Sequence, residues 1–96
     1  MITKEQENII IDTLRPFNPS YIGLFGSYAR NQETIQSDID LLIDLDYPKL
    51  NLFDIGGLHW DLEQKLKTKV DLAFKNKLKE DFKPSILKDV IVLYKA

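Results

Sequence analysis

The run Asp38-Ile39-Asp40-Leu41-Leu42-Ile43-Asp44-Leu45 constrains this chain more than any other segment. It is apolar enough to be a central strand of a sheet. Successive side chains of a strand alternate between faces, so Ile39, Leu41 and Ile43 share one face and Asp38, Asp40 and Leu42 the other. Like charges on one face of a strand repel. Two of them about 4 Å apart, at an effective dielectric near 20, cost on the order of 4 kcal/mol. A chain that keeps this pair needs something at that face to offset the repulsion. Asp44 and Asp46 have the same parity. Asp44 lies roughly 13 Å beyond Asp40 in an extended strand, too far to share a cation with it. Asp44 and Asp46 therefore read as strand-end residues entering the Tyr47-Pro48 turn.

Other elements arrange themselves around that strand. Thr3-Lys4-Glu5-Gln6 has the pattern of a capping box, and Ile9, Ile10 and Leu14 give a helical stripe that ends at Pro16. Asn18-Pro19 marks a turn. Tyr21 to Phe25 is a short β-like run that delivers the chain to Gly26-Ser27, and Tyr28 to Asn31 fits a turn of helix. Leu52, Ile55, Leu58, Leu62 and Leu66 predict an amphipathic helix from about Asn51 to Lys67. Gly56-Gly57 inside it costs about 1 kcal/mol per glycine relative to alanine, so a close packing contact is expected there. Val70 to Phe74 predicts a third strand, with Asp71 on the face opposite Val70, Leu72 and Phe74. A helix is expected over 81–88, around Pro84. Val90 to Tyr94 fits either a fourth strand or that helix's buried end, and periodicity does not choose. The order of elements predicts an α/β (α+β) domain with a small sheet of three or four strands flanked by helices. Residues 1–96 are expected to form one domain, large enough for a small core.

Charge and composition narrow the partners. Thirteen Lys and Arg against fifteen Asp and Glu leave a net charge of −2, which argues against nucleic acid as a partner. There is no cysteine, and His59 is the only histidine, which argues against the common zinc sites. His59 reads as a surface or satisfied histidine, and Trp60 as core or interface packing. The lysine-rich stretch 65–83 reads as a solvated face. The N-terminus lacks a signal-peptide pattern and no apolar run approaches a membrane span, so a cytoplasmic protein without membrane partners is expected.

Gly26-Ser27, followed after ten residues by Asp38-x-Asp40, brings chemistry to this frame. Backbone amides of a tight Gly-Ser turn can hold phosphate oxygens, above all where a helix starts. Carboxylates at i and i+2 can reach one hard cation, and magnesium held this way bridges a protein to a nucleoside triphosphate. A lone Asp-x-Asp recurs by chance and a lone Gly-Ser is an ordinary turn; their order along the chain gives them meaning. Arg30 either reaches a phosphate or is solvated. Asp71 is either a polar residue on the open face of a half-buried strand or a third carboxylate. In the second role it would complete the metal site and take a proton from an attacking hydroxyl.

These residues resemble the nucleotidyltransferase fold shared with DNA polymerase β. The likeness is closest to its minimal members, which are antitoxins beside HEPN-domain toxins. That family's pattern is Gly-Ser, ten residues, Asp-x-Asp and a third Asp on a later strand. Gly26-Ser27, Asp38, Asp40 and Asp71 match it, and Ala29-Arg30 and Ser37 fall where the subfamily has them. The likeness extends to Leu52-Phe53-Asp54 and to Val92-Leu93-Tyr94. Asn31 departs from the usual glycine, although asparagine tolerates the left-handed backbone a glycine there would suit.

The resemblance implies a mixed sheet and a division of labour within the site. Gly26, Ser27, Arg30 and Ser37 would bind the nucleotide. Asp38 and Asp40 would hold two magnesium ions. Asp71 would share one ion and help deprotonate the acceptor. The implied reaction moves AMP from ATP onto a hydroxyl, a tyrosine of the HEPN toxin in the antitoxin branch. A chain of 96 residues is expected to lack an acceptor domain, so a partner or a second copy would build that site. Two alternatives stay open: transfer to a small molecule of the aminoglycoside type, and neutralisation of the toxin by binding alone.

Overall fold

The computed structural model describes residues 2–30, 34, 37–46, 51–75 and 90–96. Helix α1 (Lys4–Leu14) starts at the predicted box: the Thr3 hydroxyl accepts from the Gln6 N–H at 3.0 Å, and the Gln6 side-chain oxygen accepts from the Thr3 N–H at 2.9 Å. Pro16 lacks the N–H a continuing helix needs, and the chain tightens into a 3₁₀ turn over Arg15–Phe17. Asn18 then takes a left-handed backbone (φ 53°), which asparagine tolerates better than most residues. Strand β1 (Pro19–Phe25) follows at once, two residues earlier than the apolar run suggested.

A short helix, α2 (Gly26–Ala29), leads towards β2 (Ile39–Leu45). It begins at Gly26 rather than at Tyr28, because the Arg30 N–H already closes onto the Gly26 carbonyl at 3.1 Å. Helix α3 (Leu52–Leu66) has its own capping box, Asn51 with Asp54, and ends at Lys67 in the left-handed region. Strands β3 (Val70–Phe74) and β4 (Ile91–Lys95) complete the described elements. The open reading of 90–94 resolves to a strand, because this segment pairs antiparallel with β1. The helix expected over 81–88, Asn31 and the Tyr47-Pro48 turn lie outside the described residues.

The strand order is β3-β2-β1-β4. β2 is central, antiparallel to β1 and parallel to β3, and α3 makes the crossover that a parallel pair requires. Ile22, Leu24, Ile39, Leu41, Ile43 and Val70 point to one face, where Ile10 and Leu14 of α1 and Leu58, Leu62 and Leu66 of α3 cover them. Burying one such aliphatic side chain stabilises by roughly 1.5–3 kcal/mol, so this layer holds the sheet and fixes the phase of β2. At the far end of β2, the Asp46 N–H donates to Asn18 and the Asp44 carbonyl accepts from the Ser20 hydroxyl. Those two aspartates are strand-end residues, as their spacing predicts.

Helix α3 departs from expectation at its two glycines. Gly56 and Gly57 make no close contact: a Cβ on either would meet nothing within 4 Å. Of the two readings of Trp60, core or interface, its 62% exposure excludes the core; Phe53 is 92% exposed, and Leu52, expected in the apolar stripe, is 84% exposed. Leu58, Leu62 and Leu66 point inward, so the residues on the opposite side of the helix are left to solvent. Among the described residues no helix is long and apolar enough to cross a membrane.

Candidate active site

Three neighbouring strands meet at one level. Phe25 of β1 pairs with Asp40 of β2, and Asp40 pairs with Asp71 of β3. The phase set by the buried Ile39 and Leu41 turns Asp40 to the opposite face, and Val70 and Leu72 do the same for Asp71. Asp40 is therefore flanked by the Gly26-Ser27 turn, which leaves β1 directly after Phe25, and by the third carboxylate.

Gly26 is required here on two grounds. Its φ is +72°, a conformation that side-chain-bearing residues adopt only under strain. A Cβ at Gly26 would also overlap the Asp40 Oδ2 atom. The Asp40 carboxylate thus rests against the backbone at the start of α2. The helix's N-cap, Phe25, makes no side-chain cap hydrogen bond to the first amides. Ser27 is the second residue of this helix.

Burial and neighbouring charge strain the site electrostatically. The Asp40 carboxyl is pushed up from the ordinary 3.8 to about 6. Removal from water is the main cause, followed by the hydrogen bond and charge of Asp71 and then the charge of Asp38. The exposed Arg30 guanidinium acts in the other direction and favours the ionised form. Protonation of Asp40 relieves the repulsion that the sequence pattern exposed.

The structure thus brings Asp40, Asp71 and Gly26 together. Asp38 sits half-buried just before β2, within electrostatic reach of Asp40. Among the described residues no three Asp, Glu or His side chains close into a ready-made metal cluster. The donors that do face one another are the hard carboxylate oxygens of Asp40 and Asp71. That chemistry fits a hard divalent cation such as magnesium. The Ser37 hydroxyl accepts from the Thr34 N–H at 2.8 Å, and the Ser37 N–H donates to the Thr34 carbonyl at 3.0 Å. Ser37 is accordingly built into the turn that presents Asp38.

Two residues near the site escaped the sequence reading. One is Thr34, whose signal was a hydroxyl residue three positions before Ser37. The other is Glu63, whose carboxylate accepts from the Val70 N–H at 3.0 Å. Its signal was the helical spacing of four from His59. His59 itself is satisfied, donating Nε2–H to the Val70 carbonyl.

Known proteins share this fold. Residues 8–94 match the model of the nucleotidyltransferase domain family. The chain is similar to the protein adenylyltransferase MntA of Thermococcus cleftensis, with 37% identity over 76 residues, 78% of this chain and 75% of that protein. It also superimposes on a chain of a toxin–antitoxin crystal structure with AMP-PNP, at a TM-score of 0.82 and 26% identity, over 94% of this chain and 73% of that one. A third similarity is to a chain of the tri-AMPylated Shewanella oneidensis HEPN toxin in complex with MNT antitoxin. There the TM-score is 0.74 and the identity 25%, over 95% of this chain and 71% of the other.

Proposed function

The chain belongs to the nucleotidyltransferase domain family, and from that premise we propose that it transfers AMP from ATP to a hydroxyl of a partner HEPN toxin and so acts as the antitoxin. The observation that carries the proposal is the register of Phe25, Asp40 and Asp71, which sets a glycine turn and two facing carboxylates around one point. The protein adenylyltransferase and toxin–antitoxin similarities support it.

Each residue then has a physical task. The amides of Gly26 and Ser27 face the triphosphate, with charge-favouring geometry at a helix start. Arg30 adds a positive charge on the same side, and Ser37 orders the backbone that carries Asp38. Magnesium held by Asp38, Asp40 and Asp71 would polarise the α-phosphate and neutralise the departing pyrophosphate. Asp71 is exposed, which suits it to take the proton of a hydroxyl brought in from outside, a tyrosine of the docked toxin. Most of the acceleration would come from positioning and charge neutralisation. A cytoplasmic setting, where ATP and magnesium are abundant, belongs to this reading.

The test is the intact mass of the partner toxin after incubation with this protein, ATP and magnesium. An AMP-sized increment, abolished by Asp38→Asn with Asp40→Asn, is the expected result. A toxin that binds this protein stably yet never gains mass would overturn the catalytic reading in favour of neutralisation by binding.

A further inference from the structure

We propose that His59 and Glu63 are positioning residues for this reaction. The two α3 side chains take hold of both backbone polar groups of Val70 and so fix the strand position from which Asp71 faces Asp40. The proposal rests on the reading of Asp71 as part of the site.

β3 is an edge of the sheet, paired only with β2 among the described strands. On its inner side the Lys69 carbonyl accepts from the Ile39 N–H at 2.9 Å. Val70, next in line, has its own N–H and C=O taken by α3. The N–H donates to Glu63 Oε2 at 3.0 Å, and the carbonyl accepts from His59 Nε2. His59 and Glu63 stand one helical turn apart, with Nε2 and Oε2 separated by 3.4 Å. Val70 is only 1% exposed, so water is poorly placed to replace either bond if a side chain is removed.

This grip sits one residue before Asp71. An edge strand is the part of a sheet most free to fray or slip, and a slip of one residue turns every side chain to the opposite face. Such a slip would carry Asp71 away from Asp40 and into the apolar layer. The hydrophobic pattern of Val70, Leu72 and Phe74 opposes the slip along the whole strand. The His59–Glu63 clip acts locally, at the position where a displacement of about 1 Å matters most to transfer.

The experiment measures kcat and KM for ATP in AMP transfer to the partner toxin, for Glu63→Ala, His59→Ala, Glu63→Gln and Asp71→Asn. Both alanine variants should lower kcat about ten- to a hundredfold, with KM for ATP within about twofold of wild type, because Gly26, Ser27 and Asp40 are untouched. Glu63→Gln should retain wild-type kcat, since its amide oxygen can still accept from the Val70 N–H. Backbone hydrogen exchange at Val70 should accelerate in Glu63→Ala and not in Glu63→Gln. If His59→Ala does not fold, His59→Phe keeps ring volume without a donor and is judged by the same criteria. Wild-type kcat in Glu63→Ala and in the His59 variant, with Asp71→Asn inactive, would overturn the clip and leave the site reading intact. An active Asp71→Asn would overturn both.

Discussion

On one face of the sheet, Ile22, Leu24, Ile39, Leu41 and Ile43 are sealed beneath α1 and α3. On the other, the same strands carry Gly23, Asp40, Leu42 and Asp71, and the charged members gather at one end. The alternation of a strand makes the two faces inseparable: the phase that buries Ile39 and Leu41 also aims Asp40 at Asp71. The apolar face therefore stabilises the fold, and part of that stability is spent holding like charges together. Desolvation and repulsion at Asp40 are the visible cost. A substitution on the apolar face should lower stability, whereas one at the carboxylates should remove activity and relieve strain.

The sharpest test of that division is Asp40→Asn. It should lower AMP transfer by on the order of 10²–10³-fold or more, while the ligand-free protein at neutral pH unfolds at a temperature equal to or above wild type. An activity loss accompanied by a large drop in melting temperature would erase the distinction between the faces. The converse is Leu41→Ala, one residue away on the apolar face. It should destabilise by about 2–5 kcal/mol through lost burial and a cavity, visible in urea unfolding, with transfer per folded molecule near wild type.

Gly26→Ala should act on both faces of the argument at once. Strain from the positive φ costs about 1–3 kcal/mol, and the overlap with Asp40 displaces the carboxylate, so stability and transfer fall together. An Ala variant with wild-type thermal stability and kcat would show that the turn can rearrange.

A subtler test uses pH. The Asp40 carboxyl titrates near 6 in the fold against 3.8 ordinarily, so the folded state binds the proton more tightly than the unfolded state. Its contribution to stability is complete below about pH 4 and is lost as pH rises through about 6. The melting temperature of Asp40→Asn relative to wild type should rise across that window in metal-free buffer. A difference independent of pH would place the strain elsewhere. The smallest expected effect is on the outer side of α3, where Gly56→Ala and Gly57→Ala should each stabilise by up to about 1 kcal/mol, because both sites are open.

Local chemistry wrote much of this structure into the sequence. The capping boxes at Thr3 and Asn51, the stop at Pro16 and the inward stripe of α3 depend on residues within a few positions of one another. The two-residue period of β2 and β3 placed Asp40 and Asp71 on the face opposite the buried aliphatics, and the spacing from Gly26-Ser27 to Asp38 and Asp40 carried the family likeness. What tertiary structure alone decided involves partners distant along the chain. An apolar run of five at 90–94 suits a strand or a buried helix end until β1 is there to pair with it. The glycines at 56 and 57 carry no mark of which side of α3 they occupy in relation to a neighbour, and they turned out to face open space. Nor does any local pattern reveal that Asp40 leans on Gly26, or that His59 and Glu63 reach across to Val70. Those contacts exist because the pairing of β1 with β2 and the packing of α3 against the sheet bring residues from separate elements together, and the energy that places them there is the burial of the apolar face.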